Sequence, residues 1–150
     1  MKNWKKLYEN LPSEELDKVA ILRVMECSNG VIQHAYRDGQ IFALSVYETR
    51  KAMKFSMGCM KNMEIPFKKE TITFAPETQE LMREARDFYV RGFKKGDSEA
   101  LVEFYAISKA SARACGLERL TEARYILEKN VDVIPSHTLD WGLDYLKQFL

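Results

Sequence analysis

Gly96-Asp97-Ser98-Glu99-Ala100-Leu101-Val102-Glu103-Phe104-Tyr105-Ala106-Ile107 is the stretch whose reading decides the fold class. A short acidic side chain such as Asp97 can accept hydrogen bonds from the free N–H groups that open a helix. Ala100, Leu101, Phe104, Tyr105, Ile107 and Ala114 then recur at helical spacing. Gly116 ends the run, because glycine enters left-handed backbone without steric cost. Upstream, Leu81, Ala85, Phe88 and Tyr89 predict a helix over 77–93, closed by a basic end at Arg91 to Lys95 and by Gly96. Downstream, Leu120, Ala123 and Leu127 predict a helix over 118–129, and Thr138 is read as the cap of a last one through Trp141, Tyr145 and Phe149. Near the start, Ser13 is the expected N-cap of a helix over 13–28 carrying Leu16, Ala20, Val24 and Cys27, which stops at Asn29-Gly30. Connections of two to eight residues suit antiparallel neighbours. The expected fold is all-α, a compact antiparallel array of about six helices in one domain over 1–150.

The middle of the chain leaves two readings open. Asp38-Gly39 between Val31–Tyr36 and Ile41–Val46 fits a tight hairpin, which would make the fold α+β. The run Tyr47 to Lys54 is helical in character, and a helix over 40–61 is preferred. Pro66 and Pro76 punctuate a connector in which Thr71 to Phe74 prefers extended chain, with Val131 to Val133 as the one obvious distant partner.

With 46% hydrophobic and 30% charged residues, a chain of 150 is ordinary globular material that needs no metal or disulfide to fold. A net charge of +1 argues against a surface built throughout for nucleic acid. Cys27, Cys59 and Cys115 lack CxxC spacing, the N-terminus has no apolar signal region, and no stretch is long enough to span a membrane. These point to a soluble protein of the reducing cytoplasm, without a cofactor or bound metal.

Few residues offer chemistry. His34 and His137 stand alone, and no GxSxG, phosphate-loop, dinucleotide or HExxH motif occurs. An enzyme is therefore ranked below a binding protein; if a pocket exists, Cys59, Tyr89, Tyr105 and His34 are its first candidates. Met53, Met57, Met60 and Met63 share one helical face around Cys59. That stripe reads first as core, second as an adaptable partner groove and last as a Cu(I) site. Basic residues from Arg83 to Lys95 are interleaved with acids, so a mixed-charge solvated face ranks ahead of phosphate contact. Ile107 to Leu127 fits a helix-turn-helix poorly, because Glu122 falls where that motif buries an apolar side chain.

Ala123, Leu127 and Pro135, four and then eight residues apart, together with Gly96 to Leu101, Phe104 and Tyr105, resemble tetratricopeptide helical hairpins over about residues 96–150. The copies stand out of the 34-residue register, and Asn130 replaces a small residue. The resemblance implies stacked hairpins that present a surface to a protein partner. The expected function is a small interaction module, an adaptor, chaperone-like binder or regulator. Met53, Met57, Met60, Met63, Trp141, Tyr145 and Phe149 are its expected contact residues. A homodimer is one form that contact could take, and nucleic acid ranks behind protein as a partner.

Overall fold

Val19 to Cys27 is apolar on every side of a helix except at Arg23 and Glu26, and such a segment belongs inside a bundle. The computed structural model, which describes residues 2–28, 64–66, 71–130 and 134–150, puts it there. Helix α2 (Ser13–Cys27) is buried along its whole last half and packs against α4 (Ser98–Asn130) and α5 (Ser136–Lys147). The short α1 (Trp4–Glu9) and α3 (Pro76–Tyr89) flank α4 from outside this trio. One continuous core joins them, with Tyr8, Leu22, Met25, Met82, Phe104, Ile107, Leu120, Leu127 and Leu139 almost wholly enclosed.

The long α4 is two helical pieces bent at Gly116, whose φ of 78° and ψ of 163° are non-helical. That conformation needs glycine, since a Cβ would strain there. Asp97 caps the helix as expected, its carboxylate accepting from the N–H groups of Glu99 at 3.1 Å and Ala100 at 3.2 Å. Beyond α3 the chain widens into one π-helical turn, Val90–Lys94, before Gly96 reverses it at φ 72°.

The all-α class holds, with five helices among the described residues where about six were expected. The expected piece over 118–129 continues from the helix before it, and α1 was not foreseen. Strands β1 (Glu64–Pro66) and β2 (Thr71–Thr73) form a minimal antiparallel ribbon, with Ile65 opposite Ile72. The extended character of Thr71–Thr73 is thus real, with the local Glu64–Pro66 as its described partner; Val131 to Val133 lie outside the described residues. The alternatives over 29–63, hairpin or helix, lie outside the described residues. Two caps also differ from expectation. Ser13 makes no side-chain cap; its hydroxyl accepts from the Arg119 guanidinium at 2.6 Å. The last helix begins at Ser136, and the Thr138 hydroxyl donates to the Pro135 carbonyl at 2.8 Å.

Glu15 is the tie between the ribbon, α2 and α3. One of its oxygens accepts from the Ala75 N–H at 2.8 Å and the Thr78 hydroxyl at 2.7 Å; the other accepts from Lys18 at 2.8 Å. Lys18 also reaches the Thr73 carbonyl at 3.0 Å. Burial alone would raise the Glu15 pKa, but the bonds from Lys18, Thr78 and Ala75 outweigh it and hold the carboxyl below its usual value. Between the lowered folded value and the unfolded value near 4.3, the unfolded chain binds more protons, so stability is lost as pH falls through that window. Glu15→Gln is expected to lower the urea midpoint at pH 7 and to show a gap from wild type that closes in acid. A gap of constant size from pH 7 to pH 3 would contradict this assignment.

Candidate functional site

Two features stand apart from ordinary packing: a groove walled by acids and a buried arginine. The groove, of about 620 Å³, runs between the N-terminal segment, α3 and the start of α4, and is lined by Lys2, Trp4, Glu80, Arg83, Glu84, Asp87, Phe88 and Glu103. α3 supplies most of it because Glu80, Arg83, Glu84 and Asp87 recur at three- and four-residue spacing. Trp4 is buried with its ring edge-on to Phe88, centroids 6.1 Å apart, and its indole N–H donates to Glu103 at 2.7 Å. Phe88 is half-buried and carries the Arg91 guanidinium over its face at 5.2 Å.

The charges of the groove are unequally satisfied. Arg83 stands 3.7 Å from Glu80, and Arg91 pairs with Asp87 at 3.1 Å. Glu84 accepts from Lys2, while its second oxygen is buried without a hydrogen-bond partner among the described residues. Lys2 also lies over the Trp4 ring, 5.7 Å from the centroid. An ammonium placed between a carboxylate and an aromatic face meets two attractions that both favour a cation.

The buried arginine is Arg23, only 1% exposed. Its guanidinium donates to Ser108 on α4 at 2.9 Å, approaches Glu26 at 3.4 Å and lies over Phe104 at 5.7 Å. Its Nε, and the hydroxyl of the equally buried Tyr8, have no hydrogen-bond partner among the described residues. Burial pushes the Glu26 carboxyl above its usual value, although Arg23 and Arg86 pull the other way. Burial likewise pushes the Cys27 thiol up to about 12, and the Cys115 thiol, which points at the Leu16 carbonyl 3.6 Å away, up to about 12. Both cysteines are protonated thiols at neutral pH and therefore poor nucleophiles.

A second groove, of about 630 Å³, follows the bend at Gly116 and is lined among others by Asp17, Ile21, Leu117, Glu122 and Ile126. Arg119 already bridges its polar rim, bonding Asp17 at 2.9 Å and the Cys115 carbonyl at 3.4 Å. This groove is stitched by the chain's own groups.

The expected site residues fall in several places. Met53, Met57, Met60, Met63, Cys59 and His34 lie outside the described residues. Tyr89 and Tyr105 do meet, through Phe93 and Phe104, in one aromatic cluster with centroids 5.2–6.1 Å apart, but neither lines the two grooves. Trp141 is 44% exposed, with His137 edge-on at 5.3 Å. Tyr145, expected among the contact residues, is only 5% exposed, because it lies on the side of α5 that faces the core, with the ring of half-buried Phe149 beside it at 5.6 Å. Trp4, Glu84 and Glu103 were missed; sequence distance hides a site assembled from residues 2, 84 and 103. Among the described residues no three His, Cys, Asp or Glu side chains are placed to hold a metal ion, and no helix is long and apolar enough to cross a membrane.

No protein-family model matches the chain, and no curated protein or solved structure does.

Proposed function

We propose that this chain is a small helical protein-interaction module, an adaptor, chaperone-like binder or regulator, with the Trp4–Phe88 groove as its contact surface. The observation that carries this reading is a groove in which the Trp4–Phe88 pair lies between charged walls, an aromatic anchor within a polar rim as protein contacts have. The tetratricopeptide-like character of residues 96–150 fits the same role, since stacked helical hairpins usually serve as binding platforms. Exposed Trp141 and Leu117 offer further apolar contact away from the groove. The protonated thiols of Cys27 and Cys115 favour binding over nucleophilic catalysis and suit a reducing cytoplasm. Nucleic acid finds less support among the described residues: Arg83 and Arg91 are engaged by Glu80, Asp87 and Asp97.

The reading is tested by placing the photo-crosslinker benzoylphenylalanine at Phe88 and, as a control, at exposed Lys109 in native cells. A discrete polypeptide adduct is expected from position 88 and not from 109. An adduct of twice the chain's mass would identify a second copy as the partner. Identical background from positions 88 and 109 would remove the groove as the contact surface.

A further inference from the structure

We infer that the groove recognises a lysine-bearing amphipathic segment of the partner, and that Lys2 occupies the place of the incoming lysine. The inference rests on the interaction-module reading and names the chemistry of its partner. Four carboxylates, Glu80, Glu84, Asp87 and Glu103, face two cations, Lys2 and Arg83, across this lining, so the field of the groove favours a basic guest. Three of the four have partners from the helices themselves: Glu80 stands 3.7 Å from Arg83 and Asp87 3.1 Å from Arg91, both as exposed pairs, and Glu103 accepts from the Trp4 indole.

Glu84 is different. Its cation is Lys2, ahead of α1, on a side chain that is 55% exposed. Half-exposed pairs of this kind are weakly held and exchange readily with water or another cation. The other Glu84 oxygen is buried and lacks a hydrogen-bond partner among the described residues, which makes this carboxylate the least satisfied of the four. Lys2 shows what the site accepts: an ammonium bonded to Glu84 with its charge over the Trp4 ring. Beside it, Phe88 presents apolar surface that an ammonium alone would leave uncovered. A segment with lysines on one side and leucines on the other meets both demands.

Lys2 is then an intramolecular competitor. Removing it frees Glu84 and the Trp4 face for the guest, and the apparent affinity rises by the fraction of sites it had blocked.

The test is calorimetric titration of the full chain with an 18-residue amphipathic leucine–lysine peptide, alongside the same peptide with every lysine acetylated and a version with every lysine replaced by glutamate. Acetylation keeps the stem and removes the charge. Binding of the lysine peptide alone is expected, weakened by added salt. Lys2→Ala should tighten it about threefold, and Glu84→Gln should weaken it about tenfold. Equal binding of the lysine and acetylated peptides to the unaltered chain would overturn the inference, and so would weaker binding by Lys2→Ala. The lysine preference would fall alone if, at the same time, the position-88 crosslink still captured a partner.

Discussion

Arg23→Met is expected to lower the unfolding free energy by about 3–5 kcal/mol at pH 7, the usual cost of stranding one half of a buried ion pair. Methionine fills much of the volume of the arginine stem, so the loss comes from the charge. Without Arg23, the enclosed Glu26 loses the strongest of the groups that counter its burial, and Ser108 loses a donor. The sign with pH follows. A carboxyl whose folded pKa lies above its unfolded value makes the folded state bind more protons, so stability falls as pH rises from about 4.3 through the folded value. The variant should therefore be least impaired in acid and worst near neutrality. Arg23→Met combined with Glu26→Leu should recover most of the loss, because an apolar pair of similar size removes the stranded charge. Urea midpoints for the two single variants and the double one measure the coupling directly. A single-variant loss under about 1 kcal/mol would mean that Arg23 is not a desolvated partner of Glu26.

Gly142→Ala is expected to cost about 3 kcal/mol, at the upper end of what one added methyl does to a tight interior. Helix α5 meets the end of α2 at this residue. A Cβ there would stand 2.2 Å from the Ser28 hydroxyl, 2.8 Å from the Val24 carbonyl and 2.9 Å from the Ser28 amide. Two of those atoms are backbone. The hydroxyl is no freer, since it donates to the Val24 carbonyl. The helices must then separate, which loosens the packing of α5, with its buried Leu139, Leu143 and Leu146, against α2. Adding Ser28→Ala should recover less than half of the loss, because the backbone contacts remain. A Gly142→Ala midpoint equal to that of wild type would show that α5 does not approach α2 this closely.

These two sites also show where sequence reasoning reaches and where it stops. Asp97, the apolar spacing after it and the bend at Gly116 are local signals, and the structure keeps all three. Arg23 was not singled out, although the apolar surround of Val19 to Cys27 was a legible sign that the last half of α2 has no solvent side. Its partner Ser108 lies 85 residues away and belongs to a helix whose placement no local pattern fixes. The groove is further from reach, because Trp4 had no helix assigned to it and Glu84 and Glu103 read as members of charged faces. Gly142 sits inside a helical pattern, where propensity alone counts glycine as a mild cost and cannot see the neighbouring helix. Tyr145, grouped with Trp141 and Phe149 as a contact residue, is instead buried with Leu139, Leu143 and Leu146.

Residue-resolved NMR of the isotope-labelled Trp141→Phe chain, titrated with the leucine–lysine peptide, tests the central claim most directly. Trp4 then carries the one indole N–H in the molecule, held by Glu103 at 2.7 Å. The largest shifts are expected at that indole and in the amides of Glu84, Asp87, Phe88 and Glu103. Shifts that leave the Trp4 indole unmoved, or that gather along Ser136–Lys147 instead, would contradict the groove as the surface this protein offers to a partner.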